Sequence, residues 1–527
     1  MVDKYQTSIF NDVLGPVMTG PSSSHTAGPG RIGLMVGALM EDVTLIDIRF
    51  PEKSSYKATY IGQGSGRAFV GGILGYEITC EEFKNSFAMA EEKGVEVKFS
   101  FLPDIPMPHP NTAYIHLSNG HDEVSATTFS VGGGAVEIVE ICGTKVLLKG
   151  DAHLLAVISG AEKTDNETCC ENILRERGIP FEKLTDQEGK LSLYHIFSKP
   201  AEGLLKILRQ NMEARVRYIP PVMPVEDTRD GTAPFCSAAE LQDFLRENPM
   251  ELWEAAVYYE AQRSGWTKEQ VIAYAEMLLD TMEESIQEGL QVKPDEKGLW
   301  KISAGEIYEA TKEKKTFDIG VLNYAPAYAT AIMENNNNAG KVCAGPTAGS
   351  CGVLGGMLFS MQRTMDCSRE KMMQALLVAG LVGVFISEQA TFAAEVAACQ
   401  AENGSASSMA ADAAAYLLEG TVQQVLNSAG IALQNLMGLI CDPLAGCTVV
   451  PCITRNSVAI ANAVVSANLA VGGYDPMIPF DQCVQAMLAV GKLLPRELRC
   501  TSLGGICATP AGEEIDRRFR EQQPVGM

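Results

Sequence analysis

Apolar and polar positions along this chain change their period twice. Up to about residue 150, short alternating runs dominate, and VTLIDIRF (43–50), VEVKFSFL (95–102), TAYIHLS (112–118) and GTKVLLKG (143–150) read as strands. Residues 28–40 and 65–74 read as short, glycine-interrupted helices among them. Next comes a compact series. It runs strand 153–160, amphipathic helix 166–178 closed by glycine, strand 179–186, turn 187–190, strand 191–198, helix 200–211 and strand 214–222. The order is βαββαβ, a ferredoxin-like arrangement. A proline- and acid-rich stretch then leads into helical periodicity over 237–248, 250–263 and 267–290. From Asn338 to about Arg496 the helices become rich in alanine and glycine and apolar on every side, which predicts a buried helical core. The expected architecture is multidomain: an α+β domain over 1–150, a βαββαβ unit over 151–222, a linker over 223–235 and an all-α domain over 236–527.

Composition narrows the partners. The 527 residues are 46% hydrophobic and 20% charged, with a formal net charge of -23. Such an acid excess repels phosphate backbones and anionic lipid, so neither nucleic acid nor a membrane is expected as a partner. The longest purely apolar run, 375–386, has 12 residues, short of the about 20 that cross a bilayer. The first residues, MVDKYQTSIF, lack the basic start and apolar stretch of a signal peptide, and the expected location is the cytoplasm. There the 15 cysteines stay reduced; ten of them fall between Cys343 and Cys507, and no CxxC pair suggests a zinc ribbon or thioredoxin site.

Three segments place reactive residues among small or apolar ones. TGPSSSHTAGPGRIG (19–33) offers hydroxyls and backbone N–H groups suited to a carboxylate or phosphate, or else a helix capped by Ser24 or Thr26. NAGKVCAGPTAGSCG (338–352) lets backbone approach a ligand closely, and lacks the spacing of a nucleotide-binding P-loop. Cys399, Cys441 and Cys452 lie in EVAACQAENGS, GLICDPLAG and VVPCITRN. The neighbouring prolines put the last two at turns or helix starts, where a thiol pKa would fall and favour metal binding.

Taken together, GPSSSHTAGP, PTAGSCG, CDPLAG and PCITRN resemble the iron–sulfur-dependent L-serine dehydratases. The stretch from Ser8 to about Gly150 is similar to that family's β subunit, and Cys236 to about Gly512 to its α subunit, here fused. The resemblance implies a [4Fe–4S] cluster on Cys399, Cys441 and Cys452 with one iron left open as a Lewis acid. Serine would lose water and then ammonia to give pyruvate, without pyridoxal phosphate. Ser22, Ser23, Ser24, His25, Thr26 and Gly28, with Thr347, Ala348, Gly349 and Ser350, would hold the substrate, and Arg455 and Asn456 would contact it. The family's histidine in a Gly-His-Gly-Thr segment is replaced by Gln63 in YIGQGSGRA, and glutamine is no base. His109 in PHPNT is therefore the expected base, with His25 second. The middle unit resembles an ACT domain, which implies effector sensing or a homodimer contact, although its first turn lacks the usual glycine-containing loop. Cys500 and Cys507 read as packing residues, or else reach the site if their segment folds inward. The alternatives are β-elimination from L-threonine or L-cysteine, and a non-catalytic iron–sulfur sensor.

Overall fold

The computed structural model describes residues 6–159, 165–185, 190–227, 231–293 and 299–522. An N-terminal α+β region built on a mixed sheet is followed by a helical C-terminal region. The sheet has six strands, ordered Glu96–Leu102, Leu45–Pro51, Thr112–Ser118, Glu123–Gly132, Ala135–Ile141 and Thr144–Leu148. Only the first pair is parallel. Alternation is visible in burial: Ile46, Ile48 and Phe50 face the core, as do Ala113, Ile115 and Leu117 opposite them.

Helices Gly28–Gly37 and Ser65–Ile73 cover that core, and glycine sets their distance. A Cβ on Gly72 would stand 2.1 Å from the Gly30 carbonyl oxygen, and one on Gly33 would stand 2.6 Å from that of Phe69. Gly72→Ala should therefore force the helices apart and cost about 1–3 kcal/mol. The check is a lower urea midpoint by circular dichroism; an unchanged midpoint would refute the close contact.

The middle unit runs Leu154–Ser159, Asn166–Glu176, Glu182–Lys183, Leu191–His195, Glu202–Asn211 and Ala214–Ile219, strand–helix–strand–strand–helix–strand. Its antiparallel sheet takes the order fourth, first, third, second. Of the strand expected over 179–186, only two residues pair. Leu155, Val157, Tyr194 and Val216 meet Leu174, Leu204 and Leu208 of the two helices. Residues of the opposite parity, Leu154, Ala156, Ile158 and Leu193, join the core of the six-stranded sheet. The first turn of this unit (160–164) and most of the turn at 187–190 lie outside the described residues, as do 1–5 and 523–527.

In the helical region, Ala238–Glu247, Leu252–Ser264 and Lys268–Gly289 appear where the period placed them. Helix Arg369–Gln389 is long and apolar enough to cross a membrane, but the most apolar window is 83% buried inside the protein, as a core helix must be. The N-terminal segment also belongs to this core. Ile9, Phe10, Val13 and Leu14 are buried among the helices, and Gly380 and Gly383 leave the space that Ile9 and Val13 fill. Glu260, fully buried, accepts hydrogen bonds from the Ser8 hydroxyl (2.7 Å) and the Ile9 N–H (2.8 Å), and pairs with Arg263. Strand Val17–Thr19 then pairs antiparallel with Lys341–Cys343, Val17 opposite Cys343. This two-stranded contact brings the 22–26 and 347–350 loops together from chain positions more than 300 residues apart.

Candidate active site

The first loop is a π-type helical turn, Ser23–Ala27, leading into helix Gly28–Gly37. Such wide turns recur at functional sites. Its cap is Ser22, whose hydroxyl accepts the His25 N–H at 3.1 Å, rather than Ser24 or Thr26. Those two are thereby available for tertiary bonds: Ser24 Oγ donates to Glu395 Oε1 (3.0 Å), and Thr26 Oγ1 donates to the Gln63 carbonyl (2.7 Å). Ser23 Oγ accepts the Ala348 N–H at 3.3 Å, which couples the two loops directly. Gly28 admits no side chain, since a Cβ would stand 2.3 Å from Ser130 Oγ.

In the second loop, Thr347 Oγ1 donates to Glu402 Oε1 at 2.9 Å, and a Cβ on Gly349 would stand 3.1 Å from that oxygen. The Ser350 hydroxyl donates to the Gly345 carbonyl (3.2 Å). Asn456 braces the loop: its amide donates to the Gly349 and Cys452 carbonyls and accepts the Gly352 N–H. Asn456 is fully buried, and these bonds shape the loop. Glu402 lies on a second π-type turn, Gln400–Gly404, immediately after Cys399. Burial, reinforced by the charge of Glu395, pushes its carboxyl up to about 7.

The two histidines flank Glu395. His25 is wholly buried, with Nδ1 3.3 Å from Glu395 Oε1 and Nε2 3.0 Å from Ser55 Oγ. Ser55 in turn donates to Asn111. The Asn111 N–H donates to His109 Nδ1 at 3.1 Å. Neutral His109 therefore carries its proton on Nε2, which makes that nitrogen a donor. Burial lowers both imidazoles against the opposing pull of Glu395, and both rings are neutral near pH 7.

Near these groups Cys399, Cys441 and Cys500 pack in one buried cluster, and Cys452 lies within electrostatic reach of Cys399. Cys399 precedes the turn that holds Glu402, and Cys452 is the first residue of helix Cys452–Val471. Cys441 lies in an extended segment bridged to Arg499: its N–H donates to the Leu498 carbonyl (2.9 Å), and its carbonyl accepts the Cys500 N–H (3.0 Å). Cys500, 5% exposed, packs in one buried cluster with Cys399 and Cys441. Of the two readings of Cys500, the segment folds inward, with left-handed backbone at Cys500 (φ 58°) and Ser502 (φ 55°). Cys507 meets the sequence expectation differently, its thiol bound to the Asp442 and Pro443 carbonyls at 3.3 Å. Arg455 pairs with Asp442 (2.8 Å), donates to the Ile440 carbonyl (2.9 Å) and lies within electrostatic reach of Cys399 and Cys452.

The sequence suggested lowered thiol pKa values, and the structure reverses this. Burial pushes Cys399 up to about 11 and raises Cys452 well above the ordinary thiol value; the neighbouring Cys500 thiol and burial do the same to Cys441. Helix termini cannot outweigh removal from water and the repulsion of neighbouring thiols and Glu402. Thiolates can gather here only with added positive charge, and Arg455 is a single cation. Soft sulfur donors of this kind suit iron. Among the described residues no three His, Cys, Asp or Glu side chains close on one point that a single metal ion could fill. What these residues offer an iron–sulfur group is the chemistry of their donors, buried thiols grouped beside Arg455.

Two acids of this site escaped the sequence reading, Glu395 and Glu402. Glu395 and Glu402 had a signal, two acids in the alanine-rich stretch EVAACQAENG, where an unpaired charge needs a reason.

Residues 247–507 match the family model of the serine dehydratase alpha chain. The chain is 34% identical over 285 residues to a probable L-serine dehydratase alpha chain of Bacillus subtilis, covering 54% of this chain and 95% of the relative. It is 29% identical over 503 residues to L-serine dehydratase 2 of Escherichia coli, covering 92% and 96%. With an L-serine dehydratase of Streptomyces coelicolor it shares 25% over 524 residues, 95% of this chain and 98% of the relative. The last two matches run through the sheet region and the helical region alike, so the class is that of a dehydratase with both parts in one polypeptide. The chain belongs to the L-serine dehydratase family, its β-type and α-type parts fused.

Proposed function

We propose that this protein removes water and then ammonia from L-serine to give pyruvate, using a [4Fe–4S] cluster held by Cys399, Cys441 and Cys452. The observation that carries this reading is the buried meeting of these thiols with Glu402 under the 22–26 and 347–350 loops. When bound, the cluster would supply Lewis-acid activation of the substrate's C3 hydroxyl. The rest of the work falls to side chains. The Ser22, Ser23 and Thr26 loop and the Thr347–Ser350 hydroxyls would take the carboxylate and ammonium groups through backbone N–H and hydroxyl contacts. His109, with Nε2–H as a donor, would orient the substrate carboxylate, and His25 would hold Glu395 and the 22–26 turn in place. Glu402 would accept the Cα proton, because a carboxyl poised near 7 is matched to that task at neutral pH. This assigns the base to Glu402 in place of His109, whose Nδ1 lone pair is engaged by Asn111.

The fourth–first–third–second strand order of the middle unit supports its reading as an ACT-like module, either sensing an amino acid or joining two copies of the chain. We place the protein in the cytoplasm, where its many thiols stay reduced. The domain boundaries we propose are those of the sequence texture, with residues 9–19 packed into the helical region.

The test is anaerobic purification and iron–sulfide reconstitution, followed by assay of keto acid and ammonia with L-serine, L-threonine and L-cysteine. Pyruvate from L-serine is the expected product, with turnover falling as the cluster's absorbance bleaches in air. Turnover that survives complete iron removal would overturn the cluster, and no keto acid from any of the three would favour a sensor.

A further inference from the structure

Independently of the cluster reading, the structure assigns a second binding site, for an organic carboxylate, to a cavity beside the 19–26 loop. The cavity holds about 450 Å³, with Tyr60, Ile61 and Phe87 among its apolar lining and Arg67, Lys84 and Asn85 among its polar lining. That volume and mixture are those of small-molecule sites. Cys399, Cys441, Cys452, Glu395, Glu402, His25 and His109 do not line it. It is therefore separate from the groups proposed to carry the dehydration.

Three features favour an anion in this cavity. The first is Arg67. Its Nη2 donates to the Gly20 carbonyl (2.8 Å), while its Nε–H, shut off from water, has no acceptor among the described residues. Burial pulls the guanidinium below its ordinary pKa. A cation withdrawn from water without a counter-charge is costly, and a bound carboxylate would offset that cost. The second feature is the backbone. Gly64 is left-handed (φ 68°), and a Cβ there would stand 2.7 Å from Arg67 Nε, so glycine lets the guanidinium lie against the chain. Helix Ser65–Ile73 begins after this glycine with no side-chain cap, and the N–H groups of Gly66 and Arg67 find no acceptor among the described residues. Open N–H groups in a first helical turn attract negative charge. The third is Lys84, whose ammonium lies 2.5 Å from the exposed Glu81 carboxylate and adds a second cation. The planar fork of arginine matches a carboxylate, and Ile61 and Phe87 match an apolar body attached to it.

The test uses the full-length chain, titrated calorimetrically with 3-phenylpropionate, with its neutral amide and with inorganic phosphate. The carboxylate should bind wild type with a Kd of about 1 mM or tighter, an ordinary efficiency for a ligand of this size. The amide should bind at least about 10-fold more weakly, the ratio expected when a hydrogen bond to a charged group is lost. Arg67→Met should weaken the carboxylate by the same factor while leaving the amide unchanged, which also reports that the cavity is intact. Saturating L-serine should not displace the probe. Equal affinities of carboxylate and amide for wild type would overturn the site, whether or not the variant folds. So would undiminished carboxylate affinity in Arg67→Met, displacement of the probe by L-serine, or tighter binding of phosphate than of the carboxylate. A chain that takes up no iron yet binds the carboxylate in this pattern overturns the cluster reading and leaves this site standing.

Discussion

Glu402→Gln is expected to lower kcat by about 10²–10⁴, the usual contribution of a general base, while the cluster's absorbance stays intact. The substitution keeps the shape of the side chain and an oxygen for the Thr347 hydroxyl, so the loops should hold. What it removes is the group that burial and Glu395 push up to about 7. A base works in its deprotonated form, so wild-type kcat/KM should rise with pH through about 7 and level off above it. The variant should lose that ascending limb. His109→Ala should act mainly on KM, since the donor at Nε2 is proposed to hold the carboxylate rather than to take the proton. If Glu402→Gln stays within threefold of wild type and His109→Ala falls by the larger factor, the assignment of the base is reversed.

Serine at Cys399, Cys441 or Cys452 is expected to abolish the broad brown absorbance of the reconstituted protein, and activity with it. Loss of a direct ligand exceeds the about 10–100-fold cost of changing an outer-shell residue. Cys343, Cys351 and Cys447 provide the controls. Burial alone pushes Cys343 up to about 12, and burial raises Cys351 as well, both inside the helical core. Cys447 lies in a separate apolar cluster with Ala445 and Val449, raised to about 12 by burial first and Asp516 second. Serine at these three positions should leave iron content at the wild-type level. Full cluster content in Cys441→Ser would refute the ligand set.

How much of this was legible from residue order differs between fold and site. The alternation in 45–50 and 112–118, and the three- and four-residue spacing in 237–290, determined strands and helices at nearly the positions observed, because period directly encodes which face is buried. The all-apolar stretch at 375–386 could only be a core helix, and it is one. The hydroxyl-rich loop and three of the cysteines were also visible, since polar groups among apolar neighbours need partners. Tertiary structure alone decided which of them meet. The pairing of Val17–Thr19 with Lys341–Cys343 brings Ser23 to Ala348, and no local pattern encodes a contact across that separation. The tautomer of His109 follows from one backbone N–H, and the poise of Glu402 from the burial it shares with Glu395. Likewise the thiols near helix starts look acidic in one dimension and become weak acids in three, because desolvation and mutual repulsion depend on what the fold packs around them. Cys500 follows the same rule: its sequence leaves open whether its segment folds inward, and the backbone bonds of Cys441 with Leu498 and Cys500 decide it.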